Sequence, residues 1–257
     1  MAGQKIPAIF SVIPNFTERE TIMVVNNFDL IKKLLRFDDK DDFYFCQVIQ
    51  RKKDGNNVPS ANNGYRTIKT YYIRSVDDYE RRIPAIIQLC EQNNARAYIN
   101  PNVRNAREVA LQCSKAYIDL VIENRCNQGY RVYDHCCGIT PKKGVDKLWI
   151  VDVDTHDPNV MGVISDAIER CRSGHKIGND EHGDLYYNIV VKIPTINGVH
   201  FISRGFDCSQ LRDKISYCSL LNDVSVDNEI VTEVCKSIKK DNPTLLYFNA
   251  RNVDITD

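Results

Sequence analysis

Apolar residues along this chain recur with two periods, and those periods divide it into helices and strands. Val24, Phe28, Ile31 and Leu35 fall on one helical stripe behind Thr17 and Glu20, which stand in capping-box spacing. The aromatic and β-branched runs DDFYFCQVIQRKK and YRTIKTYYIR predict two strands around the turn-rich, mobile loop DGNNVPSANNG. In SVDDYERRIPAIIQLCEQNN, Val76, Tyr79, Ile83, Ile86 and Cys90 keep helical spacing, with Pro84 expected to kink the helix. ARAYINP reads as a short strand. NAREVALQCSKAYIDLVIENR reads as a helix with Val109, Cys113, Ala116, Tyr117 and Leu120 on one side.

CNQGYRVYDHCCGITPKKG breaks this rhythm. Residues 126–146 are therefore read as a connecting loop between an N-terminal α/β module over 1–125 and a second module over 147–257. The second series begins with the strand KLWIVDVDT. A helix follows at DPNVMGVISDAIERC, where Asp157 suits the N-cap and Pro158 the first helical position. LYYNIVVKIPTI and VHFISRGF flank Asn197-Gly198, a two-residue hairpin signal that pairs Ile196 with Val199, Thr195 with His200 and Lys192 with Ser203. CSQLRDKISYC predicts a helix and TLLYFNA a last strand. The order β-α-β-β-α-β is that of the ferredoxin-like, or RNA-recognition-motif-like, unit. The expected fold is α+β: an N-terminal α/β module and an RNA-recognition-motif-like module sharing one core, with residues 147–250 forming one sheet.

One strand carries an anomaly. In LWIVDVDTHD, alternation places Ile150, Asp152 and Asp154 on one face and Trp149, Val151 and Val153 on the other. Two like charges on one face repel, and burying them unpaired is costly. In the expected topology this strand lies beside the one holding His200, so two acids and a histidine converge on one sheet surface. Carboxylate oxygens suit hard divalent ions, and such ions can clamp the attacking and leaving oxygens of a phosphoryl transfer.

Composition narrows the setting. Hydrophobic residues make up 43% and charged residues 26% of the 257 positions, values of a soluble globular chain. Lys plus Arg equals Asp plus Glu at 34 each, so no overall basic field draws nucleic acid, although a local basic groove is compatible with that balance. No apolar run approaches the ~20 residues of a membrane span, and the opening stretch is not expected to be a secretory leader. Ten cysteines scattered through helices and strands fit a reduced, cytoplasmic setting.

The motifs LWIVDVD and GVH, within PTINGVHFI, resemble those of the archaeo-eukaryotic primase superfamily, which includes the primase-polymerases. Members carry a hydrophobic strand ending in Asp-x-Asp or Asp-x-Glu, then a small residue, any residue and His, then a further acid near the last core strand. Gly198 stands where Ser is commoner. The resemblance is to compact phage-type members and covers the order of elements over most of the chain, with the matching residues between 148 and 207. It implies a metal-dependent nucleotidyltransferase, a primase or DNA polymerase of replication or repair, acting in the host cytoplasm if phage-encoded. Asp152 and Asp154 would hold Mg²⁺ or Mn²⁺ and His200 would contact the triphosphate. Asp241 is chosen as the third acid over Asp207 and Asp227, while Arg204 and Lys143 would assist nucleotide binding. Nucleoside triphosphates and a single-stranded DNA or RNA template are the implied partners. The chain contains no helicase-type phosphate loop, so a separate helicase would unwind the template.

Plainer readings stand beside these. An acid pair can cap a strand or bind one structural ion, and a strand histidine is commonly a hydrogen-bonded structural residue. A nuclease or other phosphotransferase could use the same acids, and a nucleic-acid-binding phage protein could keep the sheet after losing the chemistry. Arg104 and Arg107, at a helix start, suit a solvated surface or a phosphate. Lys142 and Lys143 could steer a nucleotide or simply be exposed. Cys126, His135, Cys136 and Cys137 lack the spacing of a zinc knuckle and read as structural thiols. His175 and His182 sit in a polar loop, and His156 at a helix entry.

Overall fold

The computed structural model describes residues 23–58, 64–173 and 187–250. The Thr17–Glu20 capping box, His175 and His182 lie outside the described residues. Two antiparallel sheets form the frame. The larger is ordered β1 (Met23–Asn26), β9 (Thr244–Ala250), β4 (Arg96–Ile99), β2 (Asp42–Arg51) and β3 (Tyr65–Ile73), with the short β5 (Arg104–Asn105) also pairing with β2. The smaller is ordered β6 (Trp149–Val153), β8 (Val199–Ser203) and β7 (Ile189–Pro194).

Alternation along β2 builds two cores at once. Tyr44, Cys46 and Val48 point into a cluster with Phe28, Ile31, Tyr79, Ile86 and Cys90 from α1 (Phe28–Lys32) and α2 (Val76–Asn93). Phe43 and Phe45 point to the other face, onto Val109 and Cys113 of α3 (Ala106–Ile122) and Val132, Cys136 and Cys137 of α4 (Val132–Ile139). Each such side chain contributes about 1.5–3 kcal/mol by leaving water. The caps follow the sequence. The Ser75 hydroxyl accepts from the Asp78 N–H at the start of α2, and the Asn105 side chain accepts from the Arg107 and Glu108 N–H groups at the start of α3. α2 runs through Pro84, which lies on its exposed side, so the carbonyl that loses its partner there can turn to water.

Three expectations change. Val24 belongs to a strand, not to a helical stripe: Met23–Asn26 pairs with β9, and the helix is confined to Phe28–Lys32. Residues 126–146 are not wholly a loop, because a 3₁₀ turn over Cys126–Arg131 runs into α4, which buries Cys136 and Cys137. The last strand, β9, does not join the sheet of β6. It lies between β1 and β4, with Leu245, Leu246, Tyr247 and Phe248 all buried. Consecutive apolar residues need cover on both faces, and the middle of the larger sheet supplies it.

The smaller sheet sits between two cores. Val151, Val153, Val199 and Phe201 pack on α5 (Pro158–Arg170), α6 (Leu211–Asn222) and α7 (Asn228–Lys236). Ile150, Ile193 and Ile202, on the opposite face, join the core of the larger sheet. α5 starts as its sequence predicts, with the Asp157 carboxylate accepting from the Asn159 and Val160 N–H groups and Pro158 in the first turn. The outer edge of β6 is closed by one further antiparallel bridge, Ile150 to Lys239, with both N–H···O distances 2.8 Å. Among the described residues no helix is long and apolar enough to cross a membrane.

The β7–β8 hairpin is two residues out of the expected register. Pro194 pairs with Val199, Ile193 with His200 and Lys192 with Phe201. A shift of two preserves the faces from Val191 to Pro194, so Lys192 stays opposite His200 and its ammonium lies over the Phe201 ring, 5.5 Å from the centroid. Neither Asn197 nor Gly198 takes a positive φ, so the turn is not the tight form that Asn-Gly suggests. Gly198 is needed for another reason. A Cβ there would lie 2.0 Å from the Val153 carbonyl oxygen and 2.7 Å from the Thr155 nitrogen. Gly198→Ala is therefore expected to force the hairpin off the end of β6, at a cost of about 1–3 kcal/mol. Urea denaturation measures it, and an unchanged midpoint would remove the close approach as its cause.

Candidate functional site

β6 and β8 pair in the register that sets Asp152 directly opposite His200. The imidazole Nε2 lies 3.2 Å from Asp152 Oδ1, and Nδ1 lies 2.9 Å from the hydroxyl of Thr244, the first residue of β9. The Nε2–H donates to Asp152, and Nδ1 shares its hydrogen bond with the Thr244 hydroxyl in the direction the tautomer sets. His200 thus ties the acidic strand of one sheet to an interior strand of the other. Its side chain retains 13% of its exposure and that of Asp152 38%, so the pair is shielded yet reachable from solvent.

The backbone of Asp152 is held as firmly as its side chain. The Ser237 hydroxyl accepts from the Asp152 N–H at 3.1 Å and lies 2.7 Å from its carbonyl oxygen. Ser237 follows α7 and stands where an adjacent strand would otherwise complete the ladder. Together with the Ile150–Lys239 bridge it satisfies the outer edge of β6.

The two carboxyls are driven apart in acidity. Burial alone would raise Asp152, but the His200 hydrogen bond and charge, with Lys239 and Lys53, hold it below the ordinary carboxylate value. Asp154 moves the other way: burial and then the negative charge of Asp152 push it up, against a smaller pull from His200 and Lys53. Lys53 belongs to the 3₁₀ turn after β2, so the N-terminal part of the chain brings a cation to the acids. Divergent acidities in neighbouring groups are characteristic of sites that handle charge.

A cleft of about 130 Å³ opens on these acids, lined by Asp152, Asp154, Ile230, Glu233, Val234 and Ser237. Glu233, exposed on α7, is the acid that sequence reasoning missed. The signal was present. Asp227 caps α7 by accepting from the Glu229 N–H, and Ile230, Val231 and Val234 recur at helical spacing, which leaves Glu233 beside the apolar stripe.

The other expected site residues lie elsewhere. Asp241 is committed to Arg104: Oδ1 and Oδ2 accept from Nη1 and Nη2, both at 3.0 Å, and Oδ1 also accepts from Asn102 Nδ2 at 3.0 Å. Arg104 is not surface, as its position at a helix start suggested. It is fully buried and also donates to the carbonyls of Cys137, Asn102 and Gly138. Asp207 and Asp227, the rivals for the third acid, are both helix caps, and Asp207 also pairs with Arg172. Arg204 donates from Nη1 to the Tyr187 carbonyl at 2.6 Å, beside the start of β7. Lys143 is exposed next to α3, where its N–H donates to Glu108, and Lys142 pairs with Asp42 at 2.7 Å. His156 is exposed at the entry to α5.

Among the described residues no group of three or more His, Cys, Asp or Glu side chains is arranged to hold a metal ion, the expected trio of Asp152, Asp154 and Asp241 included. The donor chemistry of the two strand acids still suits one. Their oxygens are hard ligands, and the mutual repulsion that raises Asp154 is what a divalent cation would relieve. No protein-family model, curated protein or solved structure matches this chain.

Proposed function

We propose that this protein is a metal-dependent nucleotidyltransferase of the primase-polymerase kind, adding nucleotides from nucleoside triphosphates to a nucleic-acid strand. The observation that carries the reading is the register pair Asp152–His200 with Asp154 beside it, opening on a cleft. It is the conjunction that Asp-x-Asp and Gly-x-His demand when their strands are neighbours. The order of elements supports the same reading. α5 joins β6 to β7, α6 and α7 follow β8, and the chain then returns to β6 at Lys239. That order is what a ferredoxin-like unit would give if its fourth strand were reduced to one bridge before the chain leaves for the larger sheet.

Asp152 and Asp154 would hold Mg²⁺ or Mn²⁺, which would supply charge neutralisation at the phosphates. The chain's own groups do the rest. Ser237 and the Lys239 bridge fix the backbone of β6, and His200 fixes the Asp152 carboxylate. Thr244 anchors the imidazole at Nδ1 and so holds Nε2 against Asp152, and Lys53 adds positive charge near the acids. Positioning and charge stabilisation of this kind carry most of phosphoryl-transfer catalysis.

Extension of a labelled primer–template with nucleoside triphosphates and Mn²⁺ tests the proposal, with pyrophosphate release followed in parallel. Both signals are expected from the parent protein and neither with EDTA. Shortening of the strand without nucleotide consumption would point instead to diester hydrolysis. Nucleotide binding with no turnover would leave a nucleic-acid-binding protein that has lost the chemistry.

A further inference from the structure

α3 is apolar on two sides, and the frame covers only one of them. Val109 and Cys113 are buried against β2 and α4. On the outer side, Leu111, Ile118, Val121 and Ile122 are 61%, 59%, 66% and 75% exposed. At 3.6 residues per turn these four fall within one band of about 100°. An apolar band of this kind on a surface helix marks a contact.

Charge selects the occupant. Lys115 and Asp119 are both exposed and flank the same edge of the band, one turn apart. If a second copy of α3 lies antiparallel across a two-fold axis near Tyr117, like edges face each other. Residues whose numbers sum to about 234 then meet. Lys115 faces Asp119 of the second copy and Asp119 faces its Lys115, while Leu111 meets Ile122 and the two Ile118 side chains meet near the axis. In a parallel pair the same edge would face Ser114, and neither charge would meet its opposite on the second copy. We infer that the outer face of α3 is the contact through which two copies of this chain form an antiparallel dimer.

Light scattering on the eluting 257-residue chain at micromolar concentration tests this. The parent should run at twice the chain mass and Ile118→Glu at the chain mass, with an unchanged circular dichroism spectrum because Ile118 is exposed. Lys115→Asp and Asp119→Lys should each weaken the dimer by roughly 10-fold, as two opposite-charge contacts become like-charge ones. The double variant Lys115→Asp/Asp119→Lys should restore it. A parent protein that stays at the chain mass overturns the inference. So does a dimer that survives Ile118→Glu, or a double reversal no better than either single one. The reversals keep the test open should Ile118→Glu fail to fold.

Discussion

Asp241→Ala is expected to cost about 3–5 kcal/mol of folding stability, because it leaves the buried Arg104 guanidinium without its carboxylate. The loss should exceed that of Asp152→Ala or Asp154→Ala. Arg104 cannot shed its charge, and its remaining partners are backbone carbonyls of Asn102, Cys137 and Gly138. Asn102 ties the same cluster to the start of β6, donating to the Leu148 carbonyl and accepting from its N–H. Asp241→Asn should cost less, since an amide oxygen can keep one of the two Arg104 bonds. Urea unfolding of the metal-free protein measures both. A variant as stable as the parent but blind to Mn²⁺ would return Asp241 to the metal site and refute its structural role.

What the sequence made legible was local. The alternation in LWIVDVD placed Asp152 and Asp154 on the face opposite Val151 and Val153, and the structure puts those valines in a separate core. Asp157 and Pro158 announced α5 at the residue where it starts. Adjacency of β6 and β8 followed from element order alone, and it set His200 beside the acids although the hairpin register was out by two. The face survived that error because side chains alternate with a period of two.

What stayed hidden was decided by tertiary competition. TLLYFNA announces a strand, but which sheet takes it depends on where both of its faces can be covered. LLYF, apolar at four consecutive positions, was the neglected signal of a central strand. Its placement displaced the third acid, since Asp241, just before β9, is drawn to Arg104 rather than to β6. Arg104 itself read as surface because nothing in the local sequence reports that α4 and the 241 turn close over it. Gly198 read as a turn residue, whereas its role is the close approach to Val153 and Thr155.

The two strand acids are expected to act alike on turnover and oppositely on stability. Under the proposed nucleotidyl transfer, Asp152→Asn and Asp154→Asn should each lower nucleotide incorporation by at least about 10²-fold, the scale on which electrostatic stabilisation of a transition state is lost. Their effects on the metal-free fold differ in sign. The folded-state pKa of Asp152 is depressed, chiefly by His200 acting against burial. Its contribution is therefore present above the unfolded value and lost as pH falls through the folded one, so Asp152→Asn lowers the melting temperature near neutrality. That of Asp154 is raised by burial and by Asp152. Its contribution is present below the unfolded value and lost as pH rises through the folded one, so at neutral pH the ionised group works against the fold. Asp154→Asn should then melt higher than the parent, by on the order of 1 °C given its exposure. The gain should vanish below pH 4, where both states are protonated. Mn²⁺ should raise the melting temperature of the parent more than that of either variant, because the ion relieves the same repulsion that the amide removes. Calorimetric scans from pH 3 to pH 8, with and without Mn²⁺, read all of these signs. Two variants shifting in the same direction would mean that Asp152 and Asp154 do not share one electrostatic site.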